Sequence, residues 1–328
     1  MSLSETIRAE ARSLGFDAVG ISRLSRQSDR QTTQTHDLPA LFLARLRDWL
    51  SRNFHGTMAW MERDPERRAD PQRVLPGCRS LISVGMNYLT NHRAHEQPGF
   101  GRIARYAWGK DYHQTLGKKL MQLEARIATL APTAVTRSYV DTGPIMEKAW
   151  AQQAGLGWIG KHSNLVSAQF GSWLLLGEIL TTLELDPDEP ASDLCGSCSL
   201  CIQACPTGAI VEPYVVDANR CVSYLTIEFR GPQEAIPNDL ASKMGNRIFG
   251  CDDCLDVCPF NLRGGVTREP AFTPSRVTLA PQLDELGDLQ EQAFEETFRE
   301  SPIRRAKQQG FARNVAIARA NLSHQHQS

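Results

Sequence analysis

The sequence predicts an α+β protein in three parts: an N-terminal mixed α/β domain over residues 1–186, a cysteine-rich domain over 187–265, and a short C-terminal helical region over 266–328. Three observations predict it. Helical and strand periodicities mix through the first 185 residues. Of the 9 cysteines, all but Cys78 fall between Cys195 and Cys258. Past Pro259 the chain turns polar, and residues 282–322 read as helical.

The elements follow in order. Ser2 and Glu5 have capping-box spacing, and Ile7, Ala11 and Leu14 recur on one helical face. Gly15 ends that helix, and residues 18–21 read as a short strand. Residues 24–38 are polar and read as a loop; residues 41–49 are helical again. Residues 62–73 are charged. Residues 81–86 read as a buried strand, and residues 116–130 as an amphipathic helix stopped by Pro132. Residues 135–140 alternate like a strand and run into the turn Asp141-Thr142-Gly143-Pro144. Residues 147–154 are helical, and residues 173–185 form a long apolar strand. Asp186-Pro187-Asp188-Glu189-Pro190 marks the boundary to the cysteine-rich domain.

The 328 residues suffice for two or three domains. A content of 41% hydrophobic and 22% charged residues excludes long disorder and collagen-like repeats. No apolar run reaches the ~18 residues of a membrane-spanning helix. The first residues lack the basic stretch and apolar core of a signal peptide, so the expected compartment is the cytoplasm. A net charge of −1 argues against binding a polyanion by bulk charge. Basic residues do cluster locally: Arg63, Arg67, Arg68 and Arg73; Arg102, Arg105 and Lys110; and Arg304, Arg305, Lys307, Arg313 and Arg319. Such faces hold phosphate on a neutral protein. The last group reads equally as a helix face salt-bridged to Glu295, Glu296 and Glu300.

The cysteines carry the clearest chemistry. In a reducing compartment, clustered thiols point to metal rather than disulfides. Cys195, Cys198, Cys201 and Cys205-Pro206 form a C-x₂-C-x₂-C-x₃-C-P run, the spacing of bacterial two-cluster ferredoxins. Cys251, Cys254 and Cys258-Pro259 form a second, incomplete run, and Cys221 lies between the two. Two 4Fe–4S clusters need eight thiolates, and the count closes. Cys195, Cys198, Cys201 and Cys258 are assigned to one cluster. Cys205, Cys221, Cys251 and Cys254 are assigned to the other. Cys78 remains as a buried structural thiol. Zinc also takes four thiolates, but not in this run. Two clusters make an electron wire, so the first domain should hold what the wire feeds.

Three motifs there bear on this. Gly155-Leu-Gly157-Trp-Ile-Gly160 matches G-x-G-x-x-G, but a helix precedes it and bulky Trp158 and Ile159 stand where a phosphate must approach. It is not read as a nucleotide site. Asp111-Tyr-His113 with Gly117 approximates a D-x-H-x-x-G cobalamin motif with its glycine one residue late, and His113 is not read as a cobalt ligand. Asp141 ends a strand before a Gly-Pro turn. Burial there would raise its pKa and keep it protonated as a general acid; the plainer reading is a turn-capping aspartate.

Together these segments resemble the epoxyqueuosine reductase family, cobalamin-dependent enzymes that complete queuosine in tRNA. The resemblance runs through residues 106–113, 140–143, 154–157 with Lys161, Gly171-Ser172, 195–206, Arg220-Cys221, 245–247 and Gly250-Cys251. It covers nearly the whole chain. It implies base-off cobalamin between the first domain and the cluster domain, with no protein histidine on cobalt. Asp141 is implied as proton donor and as a cobalamin contact. Arg68, Ala104, Leu165, Leu176 and Ser223 are implied beside cobalamin, and Lys148 and Ser167 near tRNA. Ala104 stands where some relatives carry a cysteine. Longer relatives end in helical HEAT-like repeats; residues 308–315 resemble the start of that region, and the chain stops soon after.

The implied reaction turns the epoxide of a wobble nucleoside into an alkene, with two electrons and two protons consumed. The implied partners are tRNA carrying epoxyqueuosine, recognised in its single-stranded anticodon loop, and an external electron donor such as a flavodoxin or ferredoxin. No membrane is involved, and a monomer is expected. A reductive dehalogenase-like enzyme also joins two clusters to cobalamin. A plain electron carrier would need no first domain of this size, and a structural zinc module would carry no acid-labile sulfide.

Overall fold

In the computed structural model, which describes residues 2–24 and 37–325, helix α1 (Leu3–Ser13) opens the chain on the predicted capping box. The Ser2 hydroxyl accepts the Glu5 N–H at 3.2 Å, and the Glu5 carboxylate accepts the Ser2 N–H at 2.7 Å. Gly15 ends the helix at φ +90°, and strand β1 (Ala18–Arg23) follows. The expected loop at 24–38 lies almost wholly outside the described residues.

Next come α2 (Leu38–Ser51), the short α3 (Pro65–Ala69) and α4 (Pro71–Val74), β2 (Ser80–Asn87) and β3 (Arg102–Ile103). Helix α5 (Tyr112–Leu130) starts earlier than periodicity suggests, because the Asp111 carboxylate accepts the His113 N–H at 3.0 Å and caps it. Then follow β4 (Thr136–Tyr139), α6 (Glu147–Gln153), β5 (Trp158–Ile159), β6 (Leu165–Val166) and β7 (Leu174–Thr181).

β1, β2, β7 and β4 form one antiparallel sheet in that order, with Ile82 opposite Ile179 and Tyr139 opposite Glu178. Helices cover both faces, so every residue of β2 is buried. Ile82, Val84 and Ile179 pack on one face with Ile7, Leu116 and Leu120. Leu81 and Leu180 point the other way, toward Phe42, Leu75 and Trp150.

The cysteine-rich segment holds α7 (Leu200–Ala204) and α8 (Val222–Ile227), and it is clamped onto the first domain. Leu255 and Phe272 enter the α1–α5 core. Ile103 and Trp108 share a core with Phe249 and with Phe294, Phe298 and Phe311 of the C-terminal region. The boundary is stapled as well: the Asp188 carboxylate accepts from the Arg8 guanidinium at 2.9 Å and from the Ile21 N–H at 2.8 Å. The C-terminal region is helical in pieces: Leu283–Gly287, Glu291–Thr297, a 3-10 turn and Lys307–Gln325. Among the described residues, no helix is long and apolar enough to cross a membrane.

One basic cluster is corrected here. Arg313 is not on a phosphate-binding face. It is buried, and its guanidinium donates to the carbonyls of Leu225, Phe229 and Gly231 at 2.6–2.9 Å. Beside it, Asn314 is fully buried and donates to the Thr226 and Ile248 carbonyls at 2.8 and 3.0 Å. Asn314→Ala would orphan two buried carbonyls, at about 1–3 kcal/mol each. We expect urea unfolding to report a loss of roughly 2–6 kcal/mol from that change.

Candidate active site

A cavity of about 1290 Å³ opens between the β4 edge of the sheet, the start of α5, α8 and the C-terminal 3-10 turn. Arg68, Tyr106, Tyr112, His113, Asp141 and Lys148 line its first-domain side; Ser223, Glu228, Arg299, Arg304 and Arg305 face them. It exceeds the roughly 300–1,000 Å³ of sites for drug-sized ligands. Its wall is part apolar and part charged, which suits a large, partly polar ligand.

Asp141 sits at the mouth of this space. Its φ of +56° is in the left-handed region, which Asp tolerates better than branched residues do. Gly143 is required just after it, because a Cβ there would lie 2.4 Å from the Tyr139 ring. His113 Nδ1 lies 2.7 Å from Asp111 Oδ1, and its Nε2 lies 3.3 Å from Asp141 Oδ2. Both ring nitrogens therefore face carboxylates. Burial opposes the imidazolium, but hydrogen bonds and charge from Asp111 and Asp141 outweigh it and raise the His113 pKa to about 9.

The expected raised pKa of Asp141 is corrected by this contact. The hydrogen bond from His113 lowers the Asp141 pKa, with burial opposing and the positive charge of His113 and Lys148 adding. The carboxylate side chain is also 55% exposed to the cavity, so burial is not the dominant influence. At neutral pH the proton rests on His113.

Two further acids lie beneath the turn. Glu147, at the start of α6, accepts the Asp141 backbone N–H, and burial together with the Asp141 charge pushes its pKa up. Glu178, opposite Tyr139 in β7, is fully buried and its Oε1 has no hydrogen-bond partner. Burial and Glu147 push its pKa up as well. Burial thus favours the neutral form of both, whereas Asp141 faces the cavity as an anion, with Asp111 and Glu228 also on the lining.

The structure brings the cysteines together in two sets. Cys201 and Cys258 each feel the charge of Cys195 and Cys198. Cys254 feels Cys221, Cys251 and Cys205. Burial raises the thiol pKa of Cys201, Cys258, Cys221, Cys254 and Cys251, the last to about 12. Metal loading must therefore expel protons. Soft, all-thiol donor sets fit iron–sulfur clusters. Among the described residues, no three ligating groups converge as a single-ion site would require. Cys198 is exposed, whereas the second set lies beside the cavity: a Cβ on Gly250, next to Cys251, would be 2.5 Å from the Ala104 Cβ and 3.6 Å from the Tyr106 ring. Cys78 is buried in the α2–α6 core.

The remaining expected residues divide. Arg68, Lys148 and Ser223 line the cavity with Asp141. Arg68 stacks over Trp60, and its Nε is buried without a partner. Ala104 lies behind the wall, against Gly250. Leu165 and Leu176 pack with Ala151, Ala154 and Leu156 in an apolar layer rather than on the cavity. Ser167 lines a separate groove with Gly157 and Leu194. Of the basic groups, Arg304 and Arg305 reach the cavity, but pair with Glu295 at 2.6 Å and Glu228 at 2.7 Å. Arg102 and Arg105 pair with Asp256, and Lys110 with Glu300. Sequence reasoning missed His113 as the partner of Asp141, although the D-x-H spacing had drawn attention to it. It missed Arg299 altogether, which carries no local signal.

A charged cavity beside paired four-thiol sets defines an iron–sulfur oxidoreductase. Comparison with known proteins gives its kind. The family described as "Epoxyqueuosine reductase QueG, DUF1730" matches residues 68–142, and a "4Fe-4S double cluster binding domain" matches residues 194–261. The epoxyqueuosine reductase of Synechocystis sp. is 46% identical over 85% of this chain and 94% of its own. That of Escherichia coli is 42% identical over 97% of this chain and 81% of its own. A crystal structure of an epoxyqueuosine reductase with a modified tRNA-Tyr stem loop superposes with a TM-score of 0.83 at 30% identity, covering 98% of this chain and 81% of that one. A Bacillus subtilis structure, with its aspartate catalytic loop swung out of the active site, gives 0.85 at 29% identity over 98% and 82%. The chain belongs to the epoxyqueuosine reductase family and is an oxidoreductase.

The His113 pair has a measurable signature. Its folded-state pKa of about 9 stands above the ordinary 6.5, so its stabilising contribution is complete below pH 6.5 and is lost as pH rises toward 9. The raised carboxyls Glu147, lifted from 4.5 to about 7, and Glu178, raised well above 4.5, act in the same sense, whereas Asp111 and Asp141, lowered from 3.8, lose their contribution only on acidification. We expect the melting temperature to fall between pH 6.5 and 9, and His113→Gln to flatten that slope.

Proposed function

We propose that this chain reduces epoxyqueuosine at the wobble position of tRNA to queuosine, with cobalamin in the large cavity and two 4Fe–4S clusters on the thiol sets. The observation that carries the reading is the His113–Asp141 couple opening on a cavity whose wall at Tyr106, backed by Gly250, adjoins the second thiol set. The reaction takes one epoxide, two electrons and two protons to one alkene and one water.

The residues fit the cofactor. The cavity is large, and the buried, unpartnered Arg68 Nε on its wall needs an acceptor such as an amide carbonyl on the rim of a corrin. Arg68, Ser223 and Asp141 would touch it, with Ala104 behind the wall, whereas Leu165 and Leu176 lie in the apolar layer away from it. Cobalamin supplies a strongly nucleophilic reduced cobalt when bound, and the clusters supply single electrons from an external donor.

The chain's own groups supply the protons and the position. The anion of Asp141 faces the reacting oxygen, and the imidazolium of His113 behind it holds the proton that crosses to the leaving oxygen. Asp111 fixes the ring through Nδ1, as an orienting carboxylate does for a catalytic histidine. The cations Lys148, Arg299 and Arg304 on the cavity rim suit the phosphates of a splayed loop. Ser167, on its separate groove, belongs to the wider RNA footprint in this reading.

The test is anaerobic turnover on tRNA carrying epoxyqueuosine with a chemical reductant, with nucleosides read by mass spectrometry. Loss of one oxygen only when cobalamin is added is the expected result; conversion without cobalamin would sink the reading. Asp141→Asn and His113→Gln should each slow conversion by about 10²-fold or more, the usual cost of losing a general acid.

A further inference from the structure

The G-x-G-x-x-G segment, set aside as a nucleotide site, has another use. Residues 157–166 form a tight hairpin in which Trp158 pairs with Val166 and Ile159 with Leu165. Its glycines are steric necessities: a Cβ on Gly157 would lie 2.2 Å from the Val166 carbonyl oxygen, and one on Gly160 2.8 Å from the Val166 side chain. The hairpin is fastened to the first cysteine loop at two points. Lys161 Nζ donates to the carbonyls of Gly196 and Cys198 at 2.6 and 2.8 Å. The Trp158 indole Nε1 donates to the Cys195 sulfur at 3.4 Å.

That indole is held firmly. Trp158 is 2% exposed, and its ring meets the edge of Phe260 at 4.8 Å between centroids. Of the buried tryptophans, Trp150 offers a contrast, because its Nε1 is buried with no partner. A hydrogen bond to a cluster sulfur stabilises the extra negative charge of the reduced state more than the oxidised one, which raises the reduction potential.

We propose that Trp158 is a redox-tuning residue: its indole N–H, donated to Cys195, raises the potential of the exposed cluster so that it accepts single electrons from an external low-potential donor. The inference rests on the reading of Cys195, Cys198, Cys201 and Cys258 as cluster ligands. Each transfer moves one electron from the donor to the oxidised cluster, with no proton or bond exchanged.

The test is a redox titration with dithionite as reductant, followed by electron paramagnetic resonance, on the full chain with iron and sulfide counted first. In Trp158→Phe, one of the two one-electron waves should move to lower potential while the other stays. Trp150→Phe, which removes the same bulk without touching a sulfur, should move neither. If Trp158→Phe loses the cluster, benzothienylalanine at position 158 keeps the ring shape, lacks the N–H, and should give the same downward shift. Unmoved waves in a fully loaded protein, or an equal shift in Trp150→Phe, would overturn the proposal. A wild-type chain reconstituted with iron and sulfide that holds no clusters would overturn the ligand reading instead, and this inference with it.

Discussion

The contact of His113 with Asp141 is the interaction on which the proposed chemistry of the cavity turns. Alone, either group would be unsuited to the task. A carboxylate 55% exposed to a polar cavity would ionise and stay ionised, and a half-buried histidine would tend to be neutral. Together, with Asp111 on the far side of the ring, they hold one proton near neutral pH at the mouth of the cavity. The architecture serves that contact. β4 delivers Asp141 from the sheet edge, and the Asp111 cap starts α5 where His113 can reach it. Glu147 holds the turn by the backbone N–H of Asp141.

In the proposed reading, the thiol sets bring electrons to this cavity while His113 and Asp141 hold its proton. The thiol set at Cys195 and Cys198 lies toward solvent, and the set at Cys221, Cys251 and Cys254 lies toward the cavity. Gly250 allows the close approach: without a side chain, it lets the Cys251 loop rest directly on Ala104 and Tyr106. The C-terminal region closes the far wall with Arg299, Arg304 and Arg305, and it is locked in place by Arg313 and Asn314 on buried carbonyls. The three parts are thus joined by shared cores as well as by the chain.

Local features were legible in the sequence, and contacts between distant segments were not. The capping box of α1, the buried strands β2 and β7, and the Asp141 turn all follow from spacing within a few residues. The two cysteine runs are local too; their number closes two clusters, and their expected grouping follows the two-cluster ferredoxin spacing, in which the cysteine before the proline turns to the other cluster. The protonation of Asp141 was misjudged because its partner stands 28 residues away, in a D-x-H motif weighed only as a cobalamin signature. Arg313 reads as surface charge in the sequence because its carbonyl partners lie more than 80 residues back along the chain. Trp158 reads in the sequence only as an obstacle to phosphate, since nothing near it announces a sulfur acceptor.

The pH dependence of oxygen loss under single-turnover conditions, with reduced enzyme and epoxyqueuosine-bearing tRNA in fixed supply, tests the proton couple most directly. The rate should hold steady through neutral pH and fall as pH rises through about 9, where His113 gives up its proton. A rate that already falls with the ordinary titration of an isolated carboxylic acid, or that stays flat through pH 9, would contradict a proton held on His113 and passed through Asp141.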